Sequence, residues 1–326
     1  MIKKLIPILL LLSLTPNAFA ATFTDVSQKD FSYDSIEFFA QKKVIEGYKK
    51  SDGTKQFKPT QSVNRAEAVK MVLSGSAKAF DIPTTIAANS PFKDVPQSIW
   101  YAPYATYAFS SGIVSGDSKT KEFQGQRSVT KAELIKMLIK ANDIDLTSSV
   151  KDIGANVSRD VSTKDWYYDY MRYAKEYGLI SPDSNGNLNP TKSLTRSEVA
   201  YIMYNTLKNV LGGEVQQLLS RTETHIFLSL KLLDQNSFDE AVQEANQSVI
   251  LVTKAKNLAP DDLTTSEAAI ITESFTHIIT AYKAKKQGNN TTTSNIELQT
   301  AKDMLKNIKL LLGLKTKLNT IMNSLK

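Results

Sequence analysis

Two kinds of hydrophobic pattern divide the chain. Up to about residue 210, short apolar stripes alternate with polar turns that carry Gly or Pro; beyond it, amphipathic stripes run for twenty residues or more. In the first part Trp100, Tyr104, Tyr107 and Ala108 recur at helical spacing, and Trp166, Tyr170, Tyr173 and Ala174 repeat the pattern. A Gly or Pro stop follows, then turns such as KSDGT from Lys50 or DSNGN from Asp183. A second helix opens at Asn64, Thr130 or Thr195. Its apolar face is Val69, Met71 and Val72, then Ile135, Met137 and Leu138, then Ala200, Ile202 and Met203.

After Gly212-Gly213 the pattern predicts four helices, at 214–235, 238–258, 266–287 and 296–325. The breaks are Asn236-Ser237, Pro260-Asp261-Asp262 and GNNTTTS from Gly288. Ile270, Ile271, Phe275, Ile278, Ile279 and Tyr282 form the stripe of the third. Leu305, Ile308, Leu312, Leu318, Ile321 and Leu325 form that of the last, with Gly313 as a weak point. Short connections between such helices favour an antiparallel bundle.

The second-helix openings are one phrase met three times: SVNRAEAVKMV from Ser62, SVTKAELIKML from Ser128 and SLTRSEVAYIM from Ser193. Placed in register on Arg65, Lys131 and Arg196, they align other landmarks. FTDV, FKDV and SRDV supply Asp25, Asp94 and Asp160; six residues on stand Phe31, Trp100 and Trp166. Twelve further come KVIEG, GIVSG and GLISP, from Lys43, Gly112 and Gly178. Pro59, Gly125 and Pro190 lie six residues before each basic residue. Independent landmarks in one register make the repeat real. Units of about 65 residues bury little surface alone, so the three are expected to pack as one module.

Thr195 with Glu198, Thr130 with Glu133 and Asn64 with Glu67 are capping boxes. The basic residue between them has no such reason: a cation in the first turn opposes the helix dipole at a cost of a few tenths of a kcal/mol, up to ~1. Two compensations stand open. One is an anion held by free N–H groups and the side chain; the other is an intramolecular salt bridge, to the Asp of the same or a neighbouring copy. The Asp could fix an Asx-type turn and the aromatic six residues on could be core; an Asp, an aromatic face and a cation are also the ingredients of a sugar site, the cation binding acidic substituents.

Composition narrows the class. Lys3 and Lys4, the apolar run Leu5 to Leu14 and Ala18-Phe19-Ala20 read as a secretory signal over residues 1–20, cut before Ala21. No later stretch approaches the roughly 20 apolar residues of a membrane span. The absence of cysteine excludes disulfides, thiolate metal sites, a cysteine nucleophile and lipidation at a mature N-terminal Cys. The net charge of +7, which falls to +5 without Lys3 and Lys4, suits an acidic partner. His225 and His277, the only histidines, lie in apolar helical stretches without acidic ligands at fixed spacing, which favours a structural or solvated role over a metal site.

The ordered set FxDV, Trp, GIVSG, a Gly/Asn-rich turn and a TRAE-like cap resembles the S-layer homology (SLH) domain, over roughly Phe23 to Val210. The resemblance implies an all-α fold: a pseudo-threefold helical module of three helix-loop-helix repeats, first helices bundled at the centre, followed here by the C-terminal bundle. It sets repeats at 21–80, 90–145 and 156–211 and the bundle at 214–326. It further implies grooves between copies that bind acidic, pyruvylated secondary cell-wall polysaccharide, or modified peptidoglycan. Arg65, Lys131 and Arg196 would hold the ligand's carboxylate; Asp25, Asp94 and Asp160 would accept from sugar hydroxyls. Phe31, Trp100 and Trp166 would line the grooves, and Gly47, Gly112, Gly116 and Gly178 would permit close backbone approach.

The copies depart from the pattern. Lys131 replaces a forked cation by a point charge, Phe31 replaces Trp, Asn64 replaces the Thr cap, Lys43 and Pro182 stand where the second copy has Gly, and the third copy lacks the Phe of FxDV. Unequal grooves are expected. The function this implies is a secreted, non-catalytic surface protein at the bacterial wall or S-layer, displaying the bundle as a spacer or for an envelope protein partner. No cofactor, metal, nucleic acid or membrane insertion is expected. The alternative is a wall-displayed hydrolase working through 214–326.

Overall fold

The computed structural model describes residues 22–76, 90–151, 153–155 and 157–324. The expected signal at 1–20, the end of the first repeat domain and Leu325 lie outside them. The described residues form two compact units, parted in the chain between Leu211 and Gly212.

In the first unit each copy is helix, loop, helix. The first helices are α1 (Tyr33–Gln41), α3 (Ala102–Ser110) and α6 (Tyr168–Glu176); the second are α2 (Arg65–Gly75), α4 (Lys131–Ala141) and α7 (Arg196–Leu211). The first copy adds an antiparallel ribbon, β1 (Tyr48–Lys49) with β2 (Lys55–Gln56), closed by the KSDGT turn. A short α5 (Leu146–Val150), capped by Asp145, follows the second copy. Each first helix stops at a left-handed residue. Lys43, Gly112 and Gly178 have φ of 57°, 69° and 68°, so the Lys at this register position adopts the glycine conformation.

A ring of three backbone hydrogen bonds ties the copies together. Val63 N–H donates to Leu194 O (3.0 Å), Leu194 to Val129 (3.2 Å) and Val129 back to Val63 (3.0 Å). All three side chains are fully buried, each contributing ~1.5–3 kcal/mol. The ring draws the starts of α2, α4 and α7 to the pseudo-threefold centre, where these helices meet one another. The first helices lie outside, α3 on α2, α6 on α4 and α1 on α7. This reverses the expected arrangement, in which first helices bundle centrally. The cause is that the residues just before each second helix bridge between copies, at Ser62 with Thr195, Asn64 with Ser128 and Thr130 with Ser193.

The second unit has its own core. It comprises α8 (Gly213–Asp234), α9 (Phe238–Leu258), α10 (Leu263–Lys286), α11 (Thr291–Leu305) and α12 (Leu312–Ser324). Neighbours run antiparallel: Ser229 Oγ donates to Ala241 O, and Thr276 Oγ1 to Ala245 O. His225 Nδ1 pairs with Glu244 at 2.5 Å and His277 Nδ1 with Glu297 at 2.5 Å, so both histidines are structural links between consecutive helices. The steps, 52 residues between the histidines and 53 between the glutamates, make α10–α11 an echo of α8–α9. The last predicted helix is two. Its Leu312 is exposed, and residues 309–311 are held elsewhere: buried Glu267 of α10 accepts the N–H groups of Lys309, Leu310 and Leu311 at 2.7–2.9 Å. No helix among the described residues is long and apolar enough to cross a membrane.

Candidate functional site

The second helices start with every early N–H satisfied. The first two N–H groups of each donate to carbonyls of another copy: Arg65 and Ala66 to Arg127 and Gly125, Lys131 and Ala132 to Lys192 and Pro190, Arg196 and Ser197 to Gln61 and Pro59. The third goes to the cap side chain, Glu67 to Asn64 (2.8 Å), Glu133 to Thr130 (3.4 Å) and Glu198 to Thr195 (3.3 Å). The glutamates bond back to the cap N–H at 2.9–3.0 Å, completing three capping boxes. An anion resting on free N–H groups is therefore not the compensation for the first-turn cation.

That compensation comes from the next copy. Arg65 donates to Glu133 (3.1 Å) and the Ser115 carbonyl (2.9 Å) and lies over Phe123. Lys131 Nζ donates to the Leu188 carbonyl at 2.5 Å. Arg196 Nε donates to the Phe57 carbonyl (2.8 Å), with its guanidinium over Phe57 and Tyr48. Pairing is thus intramolecular, but not with the Asp residues. Asp25 accepts from the N–H groups of Phe57 and Lys58, Asp94 from Phe123 and Gln124, Asp160 from Leu188 and Asn189, all at 2.7–2.9 Å. The second residue of each pair is left-handed, at φ 61°, 58° and 54°. Each Asp clamps the turn whose preceding residue meets the cation of another copy; it positions the site.

Among the described residues two grooves lie between the copies, of about 370 and 290 Å³ in turn, at the small end of ligand clefts. The first takes the Lys43–Tyr48 loop and Lys70 of copy one, Trp100 of copy two and Arg196 of copy three. The second is its image one copy on: the Ile113–Asp117 loop, Arg127 and Lys136 of copy two, Trp166 of copy three and Arg65 of copy one. Trp100 and Trp166 are 51% and 56% exposed, so they are groove walls rather than core. A lysine sits over each, Lys70 at 6.0 Å from Trp100 and Lys136 at 5.4 Å from Trp166. At the third copy the same positions hold Tyr201 and Phe31, which pack edge to face at 5.4 Å. There Lys131 is already spent on a carbonyl. The third position keeps neither the lysine nor the indole.

The second groove brings Arg65, Arg127 and Lys136 together with Glu133, while Asp117 and Glu122 stand at its loop. Burial, opposed in part by Glu133, lowers the Arg65 pKa, and burial together with Arg65 lowers that of Lys136. Burial also pushes against ionisation of Glu133, yet the Arg127 hydrogen bonds, the Thr130 N–H and Arg65 hold its pKa at about 2. An anion in this groove would relieve the cations. In the first groove the terminal nitrogens of Arg196 have no protein partner among the described residues.

The glycines divide by role. A Cβ on Gly47 would stand 2.4 Å from the Phe23 ring, and one on Gly116 3.0 Å from Phe92; the close approach is to the FxDV phenylalanine of the same copy. Gly112 has open space around it; at Gly112 and Gly178 it is the positive φ that favours glycine, a conformation Lys43 adopts in the first copy. Lys70 and Lys136 were not singled out in the sequence, although both stand five residues after the phrase's basic residue. Arg127 has a counterpart in Lys192, which pairs with Glu198 as Arg127 does with Glu133, whereas Gln61 stands there in the first copy; Tyr48 breaks the threefold register and left no such signal.

The sequence model of the S-layer homology domain matches residues 22–69, 91–135 and 159–200. The chain carries three S-layer homology domains. Similar proteins include exoglucanase XynX of Acetivibrio thermocellus, 29% identical over 58% of this chain and 16% of the relative. The surface-layer 125 kDa protein of Lysinibacillus sphaericus is 28% identical over 61% and 16%, and S-layer protein sap of Bacillus anthracis 26% over 72% and 26%. The chain thus spans about a sixth to a quarter of the length of these relatives. The three SLH domains and the surface-layer relatives place this chain at the cell surface.

Proposed function

We propose that the SLH domains hold the chain to the wall by binding an acidic polysaccharide in the first two grooves, without catalysis. The observation that carries this reading is the exposed indole with a lysine over it and a buried arginine from a third copy, built twice in one geometry. An indole face stacks on a sugar ring, and the cations take its acid substituent, of which a pyruvyl ketal is the expected one. A wall-displayed hydrolase finds less support. An exoglucanase and surface-layer proteins share this part of the chain, so it does not carry what distinguishes them. In the second unit, Glu267 is bound to three N–H groups and Glu244 and Glu297 are paired with histidines, which leaves no convergent buried acid pair among the described residues.

The test is cosedimentation with purified walls, native or stripped of pyruvyl groups. Trp100→Ala and Trp166→Ala should each weaken binding about 5- to 20-fold, at ~1–2 kcal/mol for a stacked ring. Phe31→Ala should leave it within about twofold. Equal binding to stripped walls would refute the acid as determinant, and an effect of Phe31→Ala as large as that of the tryptophans would refute the two-groove reading.

A further inference from the structure

The second unit carries a basic, leucine-bearing end that the SLH reading does not use. From residue 306 to 326 the sequence has five lysines and no Asp or Glu. Glu267 grips the backbone of Lys309, Leu310 and Leu311, which fixes this segment beside the first turns of α10. Leu263 lies one helical turn before Glu267 on the same face, and Leu258 ends α9 just across the connecting turn. Leu258, Leu263, Leu310 and Leu312 are each more than half exposed. Lys254, Lys256 and Lys309 are exposed in the same region.

The acids nearby are largely committed: Glu267 to the backbone, Asp262 to the N–H groups of Thr264 and Thr265, Asp303 to Lys306 at 2.6 Å. Asp261 and Asp262 are both exposed at the turn. Bonds to N–H groups leave Asp262 and Glu267 charged, yet residues 254–267 and 303–317 together hold six lysines against four carboxylates, so the end is positive in balance and apolar as well. A polyanionic sugar would match its charge but gives four leucines nothing to enter. An anionic lipid surface matches both, because headgroups meet the lysines while the leucines reach the acyl boundary.

We infer that this end of the second unit is a peripheral docking surface for an anionic lipid bilayer, formed by Leu258, Leu263, Leu310 and Leu312 with Lys309 beside them. It lies on the bilayer without crossing it.

The experiment uses residues 21–326, since the apolar run Leu5 to Leu14 would itself enter lipid. Vesicles of phosphatidylcholine alone and vesicles with about one third phosphatidylglycerol are sedimented with the protein. Retention on the mixed vesicles should exceed that on phosphatidylcholine about tenfold and should fall in high salt, as headgroup attraction is screened. Leu310→Ser with Leu312→Ser should cut it about fivefold, and Lys309→Gln should lower it as well, with melting temperature little changed because these side chains are exposed. Arg196→Ala with Trp166→Ala should leave it intact. Equal retention on both vesicles overturns the inference. So does retention insensitive to the leucine pair, which would mark a plain polyanion site, and so does retention lost with the groove pair, which would place the lipid contact in the SLH domains.

Discussion

Arg196 and Lys131 stand at one register position and meet different chemistry. Arg196 spends Nε on the Phe57 carbonyl and keeps its terminal nitrogens, whereas the single nitrogen of Lys131 is occupied by the Leu188 carbonyl. A fork can hold the fold and a ligand at once; a point charge cannot. Arg196→Ala should therefore weaken wall binding about 10-fold or more at unchanged helical circular dichroism. Lys131→Ala should change it by less than about twofold. Comparable losses in the two variants, measured by cosedimentation, would refute the division. Glu133 offers a test by pH. Its folded pKa of about 2 lies below its ordinary 4.5, so its contribution is full above about pH 4.5 and fades as pH falls toward 2. Discounted for screening in a half-open groove, that contribution is about 2 kcal/mol. Urea midpoints of the wild type and Glu133→Gln should differ at pH 7 and converge near pH 2; a gap that persists in acid would mean the carboxylate charge is not the cause. Two departures seen separately in the sequence also prove to be one. Gly47 and Gly116 are needed because Phe23 and Phe92 press on them, and where Ser158 replaces that phenylalanine, Pro182 replaces the glycine.

Elements follow local rules where their caps are local. The three phrases announce α2, α4 and α7 to the residue because cap and partner lie three positions apart. Asp262 starts α10 at Leu263, and Asn290 starts α11 at Thr291 inside a stretch whose composition reads as loop. The division of the last helix was illegible for the opposite reason. Its determinant, Glu267, lies more than 40 residues away and acts on backbone N–H groups, which leave no mark in a hydrophobic pattern. The same holds for the central ring, whose bonds join backbone atoms of Val63, Val129 and Leu194. Glu267→Gln should loosen residues 309–311 specifically: a neutral amide keeps one acceptor for three N–H groups, at a cost of about 1–3 kcal/mol. Amide exchange should accelerate at Lys309, Leu310 and Leu311 and remain slow in α8 and α9. Uniform acceleration across the unit would show instead that Glu267 supports the whole core.

At the scale of the SLH unit, binding and closure are the same property. Each groove takes its loop and lysine from one copy, its indole from the next and its arginine from the one before. The copies are therefore not three independent modules whose contributions add. Removing copy three deletes Arg196 from the first groove, Trp166 from the second, and Leu194 from the ring that draws the helix starts together. A chain without residues 156–211 should fall to background wall binding, although it keeps both loops and both lysines. Such a chain has also lost a third of its core, so the control is a full chain carrying Arg196→Ala and Trp166→Ala. That variant loses one residue from each groove and none from the ring. It should bind no better than the truncated chain while retaining native helical content, with a melting temperature lowered only by the lost Arg196–Phe57 bond. Two-thirds of the binding left in the truncated chain would mean that each copy binds by itself, and the shared-groove geometry would then have no part in anchoring.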